Sequence, residues 1–496
     1  CISKLMSLGM TLQDAIRRST VSPAQAIHKF PELGTLGAGH GADVAVLAVV
    51  DGNFAYKDAW GKKRLATRRL ENLMTVRGGR IVWDREGLSF PLWNASLPQI
   101  SATRPAPHPI YDILIKGGTV IDPANHRSGQ MDVAIIADKI ARVAKDLPAT
   151  RARKVIEASG YFVTPGLIDI HTHFDKGGAS LNIDPDHNSL SSGVTTAVDA
   201  GSSGWKNFKR FRSDVIDKSK IRLLAFLNIV GAGMYGSNVE DNVAEMNAGA
   251  AAKMVRDNKD VIVGIKAAHF QPAIWDNIDN AVKAAEMSGV VVMVDFSPKP
   301  GRSYPDLILK HMRPGDIHTH IFGQHNPQVD AENKIQPYML DARNRGILFD
   351  IGHGSGSFLW RIASAALQQG FLPDTISTDL HSSSVMFPRA NLATVMSKLI
   401  NLGMTLEQAI ERTTVNPAKA IKRSELGTLT EGSEADVAIL EMQRGRFAFL
   451  DVGREKLIGD KNLRALVTIR AGKVLWDSEG LSVEEWKYAG PYSNYK

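Results

Sequence analysis

Two histidines one residue apart, His171 and His173 in GLIDIHTH, stand at the end of an apolar run. Side chains alternate along a strand, so residues two apart project from one face about 7 Å apart and their imidazoles can converge on a single cation. Other apolar runs also end on polar residues: Lys266 in VIVGIKAA, Asp295 in VVVMVDF, His320 in DIHTHIF, His353 in ILFDIGHG and Asp379 in TISTDLH. A lysine inside an apolar run is desolvated, which depresses its pKa and leaves a nucleophilic amine. A carboxylate at a strand end can touch a metal and accept a proton from water activated by it. Each residue taken singly has a bland reading, such as a lysine snorkelling to solvent or an aspartate capping a helix. Their joint occurrence at run ends is harder to explain that way. His318 lies two residues before His320 on the same strand face and is an alternative imidazole donor, although a buried supporting role suits its place inside the strand better. Cys1 is the only cysteine, so any metal must be held by imidazole, carboxylate or a modified lysine.

Eight such runs occur at βαβ spacing: GLIDIHTH, TTAVDAG, LLAFLNIV, VIVGIKAA, VVVMVDF, DIHTHIF, ILFDIGHG and TISTDLH. Eight strands with crossover helices predict an α/β fold, a (β/α)8 TIM barrel over residues 166–424, in which chemistry sits at the C-terminal ends of the strands. Strand-turn-strand patterns at 110–165 and 425–487 are expected to form the two halves of a small β-sandwich flanking the barrel. The chain also repeats itself. SKLMSLGMTLQDAIRRSTVSPAQAI from Ser3 matches SKLINLGMTLEQAIERTTVNPAKAI from Ser397, and the likeness continues through ELGTL to WD and EGLS in both copies. Residues 1–93 are therefore expected to be a partial duplicate of the C-terminal helix and half-sandwich, with Thr11 and Thr405 as N-caps. The four prolines of NASLPQISATRPAPHP, residues 94–109, predict a semi-rigid linker.

With 496 residues, 44% hydrophobic and 22% charged, the chain can bury a large core. Residues 1–110 carry 14 Lys and Arg against 8 Asp and Glu, so most of the +7 net charge lies there, without the interleaved aromatics of a nucleic-acid surface. A small-molecule substrate is expected rather than a nucleic-acid or membrane partner. No run of 18 apolar residues occurs, and CISKLMSLGM has neither a charged nor an apolar signal region, so a cytoplasmic protein is expected. Strand edges in the N-terminal copy leave a homo-oligomer open.

PGLIDIHTHFD, GIKAA, DIHTHIFGQ and STDLH resemble the amidohydrolase superfamily, in its dihydroorotase and deacetylase-like branch, over about residues 110–480. The resemblance implies two divalent metal ions, usually zinc, bridged by N6-carboxylysine at Lys266. His171, His173 and Asp379 would hold the more buried ion, and the strand-five and strand-six residues, Asp295 and His320, the second. Relatives usually have histidine where this chain has Asp295. A two-metal site with one carboxylate substituted, a site with one metal and an inactive barrel all remain open at this stage. The implied reaction is hydrolysis of an amide, cyclic amide or ester by a metal-bound hydroxide, with Asp379 carrying the proton. His353, in a Gly-flanked loop, is expected to orient the substrate, and Arg302 to bind a substrate carboxylate or ring. A nucleobase deaminase and a catalytically silent scaffold are the alternatives. Lys266 argues against deaminases that use one metal, and Asp379 against the scaffold.

Overall fold

The computed structural model describes residues 2–57, 63–84, 110–175 and 183–483. The expected linker at 94–109 and the end of the first repeat copy, from residue 85, lie outside the described residues. The chain divides into two units, Cys1–Arg104 and Pro105–Lys496.

In the first unit, three short helices (Ile2–Ser7, Leu12–Ser19, Val21–Ala26) precede three antiparallel strands, β1 (Val44–Lys57), β2 (Lys63–Arg77) and β3 (Arg80–Asp84). Thr11 caps the second helix, its hydroxyl accepting from the Asp14 amide at 3.1 Å. The satisfied amide is one that the helix itself leaves without a partner.

The second unit opens with β4 (Tyr111–Asp122), β5 (Arg127–Ile136), β6 (Lys139–Ala144), β7 (Ala152–Glu157) and β8 (Phe162–Pro165). A parallel sheet follows, built in sequential order from β9 (Leu167–Thr172), β10 (Val194–Gly204), β11 (Arg222–Asn228), β12 (Ile262–Ala267), β13 (Val291–Val294), β14 (Ile317–His318) and β15 (Leu348–Phe349). Residues 375–380 bridge its two edges, pairing Thr375 with Asp350 beyond β15 and Leu380 with Thr172 on β9. The His173 amide donates to the Leu380 carbonyl and the Gly354 amide to the Thr378 carbonyl, both at 2.8 Å. The eight apolar runs thus form a ring, as a TIM barrel requires. Their composition explains it: strands covered on both faces read as continuous apolar runs, and Ile170, Val198, Leu224, Val263, Met293 and Ile317, from six successive strands, share one buried cluster. Crossover helices such as Ala248–Asp257 and Asp276–Ser288 bury their alanine-rich faces against the strands.

After the ring, helices Leu392–Asn401, Leu406–Glu411 and Val415–Ala420 lead into β16 (Val437–Leu450), β17 (Lys456–Arg470) and β18 (Lys473–Asp477). Thr405 caps its helix as Thr11 does, and Gln408 returns the bond to complete a capping box. β16 and β17 pair from Val437↔Ile469, as β1 and β2 pair from Val44↔Val76, with register shifts at corresponding places in both hairpins. β16 also pairs with β8, so the segments on either side of the barrel join in one sheet, in the order β18-β17-β16-β8-β4-β5-β6, with β7 on β4. Ile115, Val133 and Ile156 from one flank meet Val437, Leu466 and Ile469 from the other in a common core. No helix among the described residues is long and apolar enough to cross a membrane.

Arg222, at the start of β11, fastens barrel to sheet. Its guanidinium lies 2.7 Å from Asp436 and 2.6 Å from Glu434, with 10% of the side chain exposed. Removing one partner from a buried charge pair costs about 3–5 kcal/mol, because the others stay desolvated without compensation. Arg222→Met is therefore expected to lower stability by roughly that amount in urea denaturation, whereas Arg361→Met, at an exposed ion pair, leaves it nearly unchanged.

Candidate metal centre

Strand ends bring the polar residues together because each follows an apolar stretch that cannot leave the barrel wall. His171 closes β9 with its Nε2 3.2 Å from Lys266 Nζ and 3.7 Å from Asp379 Oδ1. His173 Nε2 is 3.0 Å from the same Asp379 oxygen. The ligand atoms of His171, His173 and Asp379 all lie within 4.8 Å of one another. Two imidazoles and one carboxylate at that spacing suit a divalent cation of borderline hardness.

Lys266, on β12, is fully buried, its stem packed over Gly201. A Cβ at Gly201 would stand 2.6 Å from the Lys266 Cβ, and its φ of +88° is one that other residues rarely adopt, so glycine is required there. Burial lowers the pKa of the amine. Burial and the neighbouring Lys266 also lower His171, to about 3, which keeps its imidazole neutral. A third group extends the cluster. Asp295, just past β13, places Oδ2 3.4 Å from His320 Nε2, and the His320 ring is centred 5.0 Å from that of His171. Although buried, Asp295 is held well below the usual carboxylate range by the imidazoles of His320 and His269. Burial likewise raises Asp379, but the facing imidazoles of His171 and His173 more than offset it and keep the carboxylate ionised.

An outer layer of hydrogen bonds aims these side chains. His171 Nδ1 contacts Thr319 Oγ1 at 2.9 Å, His173 Nδ1 contacts Ser202 Oγ at 2.9 Å, and His320 Nδ1 donates to the Gly352 carbonyl at 2.6 Å. In each case Nε2 is left for the centre, the arrangement that fixes a metal-binding imidazole. Three fully or nearly buried carboxylates stitch the strands behind them. Asp350 accepts from Thr319, Thr375 and Ser377; Asp169 from Thr378 and the His171 amide; Asp199 from the Phe174 and Ser202 amides. Burial raises Asp169 to about 7.

His269, for which the sequence offered no role, joins the cluster from the loop after β12, and its Nε2 lies 3.3 Å from Asp295 Oδ2. Burial opposes its charge, yet hydrogen bonds to Asp295 and Glu240 lift it to about 10. His381 reaches within 3.9 Å of Asp379 Oδ2. His318, the alternative imidazole, is buried outside the cluster, with Nδ1 3.3 Å from the Val294 carbonyl and its ring beside Tyr304.

The two residues expected to meet substrate do not join the centre. Arg302 is 1% exposed; it donates to the Phe270 and Pro272 carbonyls and to Asn277 Oδ1, among the rings of Phe270, Trp275 and Phe296. These donors are taken up by the protein interior. His353 is also fully buried, stacked on Phe358, with Nδ1 2.9 Å from the Gly354 carbonyl and Nε2 2.7 Å from Lys398 Nζ. These contacts anchor its loop, and a Cβ at Gly354 would stand 2.2 Å from Asp379 Oδ2, so the loop backbone lies directly against that carboxylate.

The profile of the amidohydrolase family matches residues 360–475. A deacetylase of Brucella anthropi is 35% identical over 326 residues, covering 64% of this chain and 81% of the relative. The chain belongs to the amidohydrolase family. Among solved structures, an adenine deaminase superposes on this amidohydrolase with a TM-score of 0.69 and 28% identity, over 74% of this chain and 100% of the other. A dihydroorotase does so with a TM-score of 0.66 and 30% identity, over 74% and 99%. The amidohydrolase is accordingly a metal-dependent hydrolase acting on carbon–nitrogen bonds.

The loop anchor carries a pH signature. Burial, only partly offset by Asp451, lowers Lys398 from 10.5 to about 7. Above about pH 7 the folded protein holds this amine neutral, while the unfolded chain keeps it protonated until about 10.5. The unfolded state then binds more protons, so stability from this group rises with pH across that window and is lost as pH falls toward 7. Lys398→Met is expected to remove this rise, of at most about 1.4 kcal/mol per pH unit, from wild-type stability measured between pH 7 and 10.

Proposed function

We propose that this amidohydrolase hydrolyses an N-acyl or cyclic amide with two divalent cations, zinc in the first instance, at the barrel mouth. The buried amine of Lys266 beside His171 carries the reading. Burial lowers the pKa of the amine and so favours its neutral form, and a neutral amine adds to carbon dioxide: the N–C bond forms, one proton leaves, and N6-carboxylysine results. The carbamate supplies two oxygens where the amine offered one nitrogen. His171, His173 and Asp379 would hold one cation, and Asp295 and His320 would stand on the other side of Lys266. When bound, the cations supply Lewis acidity that activates water and polarises a carbonyl.

Asp379 does the proton work. Its Oδ1 is committed to His171 and His173, while Oδ2 faces His381 and the Gly354 backbone. We assign Oδ2 the proton lost by the attacking water, which it then returns to the leaving nitrogen. His381, on the same side of Asp379, is suited to contact the substrate. The likeness to a deacetylase and to a dihydroorotase supports acyl and cyclic amides as the substrate class.

The likeness to an adenine deaminase supports a second reading, in which the bond broken releases ammonia from a nucleobase. Incubation with N-acetyl amino acids, dihydroorotate and adenine, with acetate, ring opening and ammonia followed separately, tells the readings apart. Asp379→Asn keeps a metal-binding oxygen but loses the base. Its turnover is expected to fall by about 10²–10⁴ with zinc content retained, and near-normal turnover would sink the assignment of Asp379.

A further inference from the structure

We propose that His269 is a ligand of the second cation, completing with Asp295 and His320 the position where strand five supplies a carboxylate, and that Glu240 is the positioning residue that aims it. The inference rests on the two-metal reading above and assigns to it a residue from outside the strand ends.

Three observations carry it. First, His269 Nε2 and His320 Nε2 approach one atom, Asp295 Oδ2, at 3.3 and 3.4 Å, from separate loops. Second, His269 follows the pattern of the other imidazoles of the centre. Its Nδ1 lies 3.0 Å from Glu240 Oε2, as His171 turns Nδ1 to Thr319, His173 to Ser202 and His320 to the Gly352 carbonyl. A carboxylate accepts from Nδ1–H, so a cation that displaces the other proton meets the lone pair on Nε2, and the acceptor raises the basicity of that nitrogen. Glu240 is 3% exposed, and its other oxygen is held by the Gly236 amide at 3.0 Å, so the acceptor is itself fixed. Third, the backbone is bent to this purpose. His269 has φ +55°, a left-handed conformation uncommon outside glycine, two residues after the end of β12.

The donor chemistry follows. With Asp295 in the strand-five position, the second cation has one strand-end imidazole, His320. His269 restores a second, giving two nitrogens and a carboxylate oxygen beside the Lys266 carbamate, a set that zinc, manganese and iron all accept. A salt bridge alone, with His269 protonated between Asp295 and Glu240, predicts no dependence of cation binding on either residue's role as a ligand or its orienter.

The test is zinc stoichiometry and affinity of the full chain, stripped with a chelator and reloaded with zinc in bicarbonate buffer, followed by elemental analysis and competition with a chromophoric chelator. Wild type is expected to take two zinc ions per chain. His269→Ala is expected to take one, and that retained ion reports that the barrel has folded. Glu240→Gln is expected to take two, the second bound about 10–100-fold more weakly. Cobalt substitution gives a second readout, since loss of an imidazole changes the visible d–d bands of one of the two ions in His269→Ala. Two zinc ions of unchanged affinity in His269→Ala would overturn the ligand assignment and leave the two-metal reading standing. One zinc ion in wild type, indifferent to both substitutions, would overturn the two-metal reading and the assignment with it.

Discussion

The desolvation of Lys266 is the constraint around which the rest of the barrel mouth is arranged. Its amine is wholly buried, it lies 3.2 Å from the Nε2 of His171, and no ion pair to it is found among the described residues. Holding an ammonium there would cost several kcal/mol. Burial lowers the pKa of the amine instead, and the ligand atoms of His171, His173 and Asp379 gather beside it. That arrangement is expensive as a resting core and useful as a cation site, which is the usual sense of a strongly perturbed ionisable group in a cleft.

The cost is met one layer out. Asp169, Asp199 and Asp350 are buried carboxylates behind the centre, and each binds a strand other than its own. Asp350 draws on the sixth and eighth strands through Thr319, Thr375 and Ser377; Asp169 draws the eighth strand to the first through Thr378. Hydroxyl and amide donors offset part of their burial, and the ring is closed where β14 and β15 are only two residues long. Thr319 belongs to both layers, since it touches His171 and Asp350 at once. The Gly352–Gly354 backbone does the same, accepting from His320 and pressing on Asp379 while His353 and Lys398 pin it from the interior.

Much of this was legible in the sequence, and the reasons differ by residue. The eight strands could be read because strands buried on both faces are written as unbroken apolar runs, and His171, His173, Lys266, Asp295, His320 and Asp379 because they interrupt those runs at one end. His269 could not be read this way, since it sits in a loop without periodicity and owes its place to a left-handed backbone. The burial of Arg302 and His353 has no local signal either. What buries Arg302 is an aromatic wall from separate segments, Phe270, Trp275 and Phe296, and what buries His353 is Lys398, a helix residue 45 positions away. The internal repeat was plain in the letters, and both hairpins carry the same register. The pairing of β16 with β8 is long-range and has no local signal.

Zinc uptake with and without carbon dioxide decides whether Lys266 becomes a carbamate that holds two cations. Stripped protein would be reloaded with zinc in degassed buffer and in buffer with bicarbonate, beside Lys266→Ala. Two zinc ions per chain are expected only when bicarbonate is present, with fewer in Lys266→Ala and recovery in that variant on adding a short carboxylic acid. Equal zinc uptake by wild type in both buffers, matched by Lys266→Ala, would contradict the carbamate.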